Sequence, residues 1–210
     1  MKPRFRGVSH EVAFFVSLAT GAALLALASG ARAQVAVLVY AVSCSALFGV
    51  SALYHRRDWA PVARRWMRRL DHAMIFVFIA GTCTPVALLA LHGTLAVLLL
   101  CVVWGGAIVG IALELAWPER PAWASAAAYV VLGWIGAAAM GQLGSVVGPL
   151  GIALLALGGL LYTAGAVVYA VRRPDPRPTV FGYHEVFHAL VIAGAALHFG
   201  VIAVGVVPMR

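Results

Sequence analysis

The stretch HEVFHALVIAGAALHFGVIAVGV, residues 184–206, decides the class of fold. It carries one acidic residue, Glu185, and contains neither lysine nor arginine. About 20 apolar residues in a helix cross a hydrocarbon core that is roughly 30 Å thick, so this stretch can span a membrane. Six earlier stretches have a similar length and composition, and we expect each of them to form a membrane-spanning helix. They comprise residues 12–30, 34–54, 70–91, 94–116, 122–140 and 146–171.

The composition of the whole chain is that of a membrane protein. Hydrophobic residues make up 63% of the 210 residues and charged residues only 10%, whereas about a quarter of a soluble domain is charged. Long apolar runs without period-two alternation favour helices over the strands of a membrane barrel. Because the connections between the spans are short, we predict one all-α unit. It is an integral-membrane, seven-helix bundle that forms a single domain over residues 1–210.

The basic residues alternate between the two sides of the predicted membrane. Only Arg32 and Arg210 fall on the side opposite to the N-terminus. By the positive-inside rule, the N-terminus is cytoplasmic and the C-terminus is extracytoplasmic. This pattern, rather than a nucleic-acid-binding surface, accounts for the net charge of +8. It fits a bacterial inner membrane, whose anionic headgroups we expect the basic second connection to contact. The basic residues on the cytoplasmic side are Lys2, Arg4, Arg6, Arg56, Arg57, Arg64, Arg65, Arg68, Arg69, Arg120, Arg172, Arg173 and Arg177.

The N-terminal segment resembles a secretory signal peptide, because a basic start and an apolar stretch precede Ala31, Arg32 and Ala33. The apolar stretch, residues 12–28, is longer than the usual apolar core of a signal peptide, and Glu11 adjoins it. We therefore expect the segment to be retained as the first span, with cleavage as the alternative.

Two histidines near the start of the last span indicate a metal site. His184 and His188 are four residues apart, so both imidazoles lie on one face of a helix. The predicted topology brings His55, at the end of the second span, and Asp71, at the start of the third, to the same membrane depth. Three imidazoles with an open fourth position are typical of catalytic zinc. Asp71 is then the candidate base, and Ser51, four residues before His55, can support a ligand or a water molecule.

Each of these residues also has a purely structural interpretation. A histidine at a helix end commonly reaches towards the interface, and Asp71 can form a solvated ion pair with Arg68, Arg69 or His72. The convergence of several such residues at one depth favours a single site over several coincidences. Cys44, eleven residues before His55, is a minor alternative ligand.

Other polar residues have simpler expected roles. We expect His10 to act at the start of the first span and Glu114 to act at a helix end. Consecutive helical positions differ by about 100°, so His72 points away from Asp71 and Glu185 points away from its neighbouring ligand. His198 either lines a substrate cavity or is a hydrogen-bonded histidine of the core.

The combined motifs resemble those of the hemolysin III family, which belongs with the progestin and adiponectin receptors. They are SALYH at residues 51–55, LDH at 70–72, GTCTP at 81–85, HEVFH at 184–188, and the pair His198–Phe199. Ser9 and His10 also resemble the family's hydroxyl–histidine pair before the first span. The resemblance implies zinc held by His55, His184 and His188, with Asp71 and Ser51 close to the metal or its water. It further implies kinship with membrane hydrolases that include alkaline ceramidases.

The residues and the resemblance together favour a zinc-dependent hydrolase that acts on an amide- or ester-linked membrane lipid. One alternative is a pore-forming, cytolytic membrane protein of the hemolysin type, in which zinc is structural. Such a pore requires a polar stripe or a lumen, whereas the outer halves of the spans are almost wholly apolar. The other alternative is a membrane sensor that keeps the metal without turnover.

Overall fold

The structure is a computed structural model that describes residues 3–117 and 119–208. Within these residues all regular secondary structure is helical, which confirms the predicted all-α class. Lys2 and Arg210, which enter the charge pattern, lie outside the described residues. The helices are α1 (Val8–Leu27), α2 (Ala31–Arg56), α3 (Pro61–Pro85), α4 (Gly93–Ala116), α5 (Ala122–Trp134), α6 (Met140–Val171) and α7 (Tyr183–Val201).

Six helical stretches of the described chain are long and apolar enough to cross a membrane. Short turns extend some of the α-helices: π turns at Val86–Ala90 and Ile202–Val206 continue α3 and α7, and a 3₁₀ turn at Ile135–Ala139 joins α5 to α6. The predicted fifth and sixth spans therefore fall within one stretch of 50 residues, Ala122–Val171. A straight helix of that length would measure roughly 75 Å, more than twice the thickness of a hydrocarbon core.

The long stretch is interrupted at Gly148. This residue has φ 69° and ψ 178°, a conformation that breaks the helix and favours glycine, and Pro149 follows it. Trp134 lies fourteen residues before Gly148 and Thr163 fifteen after it, yet the indole nitrogen of Trp134 donates to the Thr163 hydroxyl at 2.9 Å. Trp134 and Thr163 therefore lie at nearly the same distance from the break, on opposite sides of it, and are in contact. Such a contact is expected when two helices fold back on each other as a hairpin. Packing of α5 against α6 agrees with that arrangement.

The helices pack in chain order, and α1 also contacts α7. The helix α2 contributes much of the core, with Val37, Tyr40 and Phe48 buried against its neighbours. Many large apolar residues face outwards instead; Ile108, Val131 and Leu150 are each at least 66% exposed. Such a surface is unfavourable in water and suits a lipid environment. Because successive neighbours are packed together, the start of α1, the end of α2 and the start of α7 meet at one end of the bundle.

The third helix begins nine residues before the predicted span. Proline at its first position favours initiation there. Proline has no backbone N–H, and a backbone N–H at the first helical position would have no partner within the helix. The extra turns carry Arg64, Arg65 and the following arginines, so they extend the helix beyond its apolar part. At its other end, Thr82 and Thr84 donate to backbone carbonyls at 2.8 Å just before Pro85 and the π turn.

Candidate metal centre

The three predicted ligands come together at one end of the bundle. His55 lies in the last turn of α2, and His184 and His188 lie in the first turns of α7. Each offers one ring nitrogen, and these three nitrogens lie within 4.8 Å of one another. The Nε2 atoms of His55 and His184 are 3.0 Å apart. These three residues, called the histidine cluster below, could hold a metal ion.

The donor set and its burial fit a zinc ion. All three side chains are buried, and Nδ1 of His188 is a buried atom without a hydrogen-bond partner among the described residues. A buried polar atom left in that state costs about 1–3 kcal/mol. Two nitrogens on a tetrahedral zinc, with bonds of ~2.0–2.1 Å, lie roughly 3.3–3.4 Å apart. The His55–His184 separation of 3.0 Å therefore needs only a small opening to accept the ion.

Asp71 and Ser51 lie beside the histidine cluster, as the predicted topology required. Asp71 is in α3, and its Oδ2 atom is 3.7 Å from Nε2 of His55. Ser51 lines the same cavity as Asp71. Both residues are buried, so Asp71 is not part of a solvated ion pair at the interface. A buried carboxylate at this distance can orient a ligand or accept a proton from water.

The interpretation of His10 as a residue that acts only at a helix start was wrong. Its ring is 2% exposed and stacks on the ring of His188, with centroids 3.7 Å apart and planes 7° from parallel. Neither of its ring nitrogens has a hydrogen-bond partner among the described residues. His10 reaches this position because the start of α1 packs against the start of α7. It therefore fixes one face of the His188 imidazole.

The N-terminal residues hold this end of the bundle together. The backbone nitrogens of Arg4 and Phe5 donate to the carbonyls of Thr179 and Val180 at 3.0 and 3.1 Å, in the segment before α7. The next arginine, Arg6, donates from Nε to Oε1 of Glu185, whose Oε2 accepts the Gly182 backbone N–H at 2.8 Å. Glu185 thus caps α7, in agreement with its predicted orientation away from the ligands.

Gly7 lets the N-terminal segment pass close to His55. It has φ +81°, a conformation that L side chains rarely adopt, and an added Cβ would lie 2.7 Å from Cβ of His55. Both facts favour glycine at this position. The close approach lets α1 begin against His55, which in turn places His10 on His188.

A second buried polar group lies next to the histidine cluster and is built around Glu114, which lies in the last turn of α4, as expected of a helix-end residue. Oε1 of Glu114 accepts from Arg120 and from the Tyr129 hydroxyl, the latter at 2.9 Å. Its Oε2 lies 3.5 Å from Nδ1 of His72. Glu114 is only 3% exposed. These four residues, the glutamate cluster, join α3, α4 and α5 and the connection between the last two.

The bundle contains a cavity of about 180 Å³ that starts at these polar groups. Asp71, Ser51, His72, His184 and His188 are among the residues that line it, and the rest of the lining is mainly apolar. The expected role of His72 agrees with this position, since it lies beside the cavity but outside the group of metal-ligating atoms.

Both interpretations of His198 hold. It lines the cavity, and its Nε2 lies 3.1 Å from the carbonyl oxygen of Leu155. Cys44 is buried in the apolar core, outside the group of metal-ligating atoms.

Comparison with known proteins gives consistent matches over most of the chain. The model of the family described as Haemolysin-III related matches residues 1–199. Hemolysin-3 of Bacillus cereus is 32% identical over 204 residues, which cover 96% of this chain and 90% of that protein. The Hemolysin-3 homolog of Bacillus subtilis (strain 168) is 32% identical over 165 residues, covering 79% of this chain and 74% of the homolog. The region matched by the family model includes both polar clusters.

Proposed function

The chain belongs to the haemolysin-III-related family, as its motifs predicted, and on that premise we propose that it is a zinc-dependent hydrolase of amide- or ester-linked membrane lipids. The observation that carries the proposal is the histidine cluster, three buried imidazoles that converge at the end of a cavity. A buried carboxylate lies 3.7 Å from one of them.

We propose His55, His184 and His188 as the ligands of the zinc ion. Neutral imidazoles are common zinc ligands, and three protein ligands leave a fourth position for water or substrate. Bound there, zinc would acidify a water molecule and polarise a carbonyl group of the substrate. A fourth protein ligand would instead have favoured a structural metal, and the group found among the described residues has three members.

Asp71 and Ser51 are proposed to handle the proton and to position the water. The Asp71 carboxylate accepts a proton from the attacking water, and Ser51, which lines the same cavity, positions that water. General base catalysis of this kind contributes typically ~10²–10⁴-fold in rate. Because both residues are buried, their positions are set by the packing of α2 against α3.

The cavity supports a lipid as the substrate. His184 and His188 of the histidine cluster line it, and apolar side chains from several helices make up much of the remaining lining, among them Ile75, Leu143 and Val191. An acyl chain can occupy the apolar part while its carbonyl group reaches the polar end. Membrane lipids are therefore the proposed partners.

The proposed arrangement in the membrane has seven crossings and a cytoplasmic N-terminus, with the whole chain as one domain. Contacts across the break at Gly148 support two crossings within the 50-residue stretch. The basic side is then cytoplasmic by the positive-inside rule, which puts the histidine cluster at the cytoplasmic face. Relatives from two Bacillus species support a bacterial inner membrane as the location.

A cytolytic, pore-forming function is the second candidate, and the names of the Bacillus relatives favour it. A pore needs a polar path through the bundle or between subunits. Most of the side chains that line the cavity are apolar, which favours the hydrolase. Lysis of test cells that persists after removal of the metal would favour the pore.

The hydrolase proposal is tested with purified, zinc-loaded protein and a panel of N-acyl and O-acyl lipids. Release of fatty acid is measured by mass spectrometry for the wild type and for Asp71→Asn. We expect the wild type to release fatty acid from at least one class. Asp71→Asn should release it about 10²–10⁴-fold more slowly while keeping its zinc.

Asp58→Asn is the matched control, because this exposed aspartate lies in the loop between α2 and α3. It should behave as the wild type does. A zinc-loaded wild type that cleaves none of the lipids would refute the proposal, and so would equal rates for the wild type and Asp71→Asn.

A further inference from the structure

The imidazole of His72 belongs to the glutamate cluster and lines the cavity. It has no role in the hydrolysis as proposed above. We propose that His72, held by Glu114, is the general acid that protonates the leaving nitrogen or oxygen of the substrate. This inference rests on the proposed hydrolase function.

The contacts of Glu114 show why its carboxylate is available to His72. Arg120 and Tyr129 both donate to Oε1, while Oε2 faces Nδ1 of His72 at 3.5 Å. Arg120 is itself held, because its Nε donates to the Ser125 hydroxyl at 2.7 Å. The carboxylate therefore has a fixed position. A carboxylate on one ring nitrogen orients an imidazole, as in histidine–carboxylate pairs of hydrolases.

The second ring nitrogen of His72 faces the cavity. Its Nε2 lies 3.5 Å from the hydroxyl of Tyr169, which also lines the cavity. The Tyr169 ring in turn lies 6.0 Å from the ring of His184, measured between centroids. Nε2 of His72 is thus directed at the space next to the histidine cluster. Contacts as long as 3.5 Å are common between catalytic groups without substrate and shorten in the complex.

The charged and titratable groups around His72 suit a proton donor. Asp71 precedes it on α3, Glu114 faces it from α4, Tyr169 from α6, and Arg120 and Tyr129 hold the glutamate. Glu114 is close enough to hold the ring in one orientation. Asp71 and His72 are consecutive, so they point in different directions, one towards His55 and the other towards Glu114 and Tyr169.

The two residues divide the proton transfers of hydrolysis between them. The oxygen of water bonds to the acyl carbonyl carbon, and Asp71 takes one proton from that water. The C–N or C–O bond then breaks, its electron pair stays on the leaving atom, and that atom takes the proton from Nε2 of His72. Asp71 then gives its proton to water and His72 takes one up from water, so the net change is the addition of one water across the bond.

The inference is tested by comparing leaving groups on zinc-loaded protein. Three substrates share one acyl chain: an N-alkyl amide, an alkyl ester and a nitrophenyl ester, whose leaving group departs without a proton. In His72→Gln we expect hydrolysis of the amide and the alkyl ester to fall about 10²–10⁴-fold. Hydrolysis of the nitrophenyl ester should fall far less, and the zinc content should equal that of the wild type. His92→Gln, an exposed histidine outside the cavity, is the matched control.

A structural role for His72 would lower all three rates equally, and that result would overturn the inference while leaving the hydrolase proposal intact. A wild type that cleaves none of the three would overturn both. The wild type also gives a test that does not depend on folding of a variant. Its rate over a series of esters should depend only weakly on the basicity of the leaving group, and a steep dependence would contradict a general acid.

Discussion

The two buried polar clusters lie side by side, yet they differ in the partners that the protein provides for their polar atoms. In the glutamate cluster each carboxylate oxygen of Glu114 faces a donor from the chain itself. In the histidine cluster the ring nitrogens face one another, with 3.0 Å between those of His55 and His184. Nδ1 of His188 has no partner among the described residues.

This difference separates a network that is satisfied by the protein's own groups from a metal-binding site more clearly than burial does. Both clusters are buried and both contain ionisable groups, which are expensive within a membrane. A network whose donors and acceptors match needs nothing further, whereas nitrogen atoms that converge on one point need a cation. We therefore expect variants of the two clusters to fail in different ways, one in metal binding and the other in stability.

The largest expected effect is the loss of metal from His188→Ala. Removal of a ligand should weaken zinc binding by more than the ~10–100-fold that loss of an outer partner typically costs. Metal analysis of the purified protein measures this directly. His92→Ala serves as control, because His92 is exposed and lies outside the histidine cluster. Equal zinc in His188→Ala and in the control would remove the basis for a metal centre.

The next largest effect is a loss of stability in Glu114→Ala, with the zinc content unchanged. This variant leaves the buried guanidinium of Arg120 without its carboxylate, and breaking a buried ion pair typically costs about 3–5 kcal/mol. The free energy of unfolding in detergent measures the cost. Glu119→Ala alters an exposed glutamate nearby and should change it little. If Glu114→Ala lost its zinc yet kept its stability, the proposed contrast between the clusters would be wrong.

The smallest expected effect comes from the stacking of His10 on His188. His10→Ala removes the stacked ring and should weaken zinc binding by about 2- to 10-fold, since an aromatic pair contributes roughly 0.5–1.5 kcal/mol. His10→Phe keeps a ring at this position and should bind zinc nearly as the wild type does. Competition with a zinc-binding dye measures both affinities. Weaker binding by the phenylalanine variant than by the alanine variant would contradict a role in stacking.

The residues of the candidate site could be predicted because the order and direction of the spans can be read from the sequence. Apolar stretches and basic connections gave the order of the spans, and this order alone placed His55, Asp71 and the pair in α7 at one end of the bundle. The family resemblance was confirmed by matches over most of the chain. The count of seven crossings stays a prediction, because one stretch of 50 residues includes two of the predicted spans.

The missed features depend on contacts between segments far apart in the chain. His10 was read as a helix-start residue because nothing in its own segment shows that α1 begins against α7. The signal was present in part, since Ser9 and His10 resembled a family motif and lay at the same predicted depth as the ligands. Glu114 does lie at a helix end, as expected, but its role as the centre of a buried cluster was not predicted. Its partners Arg120, Tyr129 and His72 come from three other segments, and only packing brings them together.

The most direct test of the metal centre is X-ray absorption spectroscopy at the zinc edge of the purified wild-type protein. The histidine cluster predicts about one zinc ion, bound to imidazole nitrogens at ~2.0–2.1 Å together with a light atom from water or substrate. Strong imidazole scattering, reduced in His55→Ala, would establish the three ligands. A zinc ion surrounded by sulfur, or by oxygen without imidazole, would contradict the site.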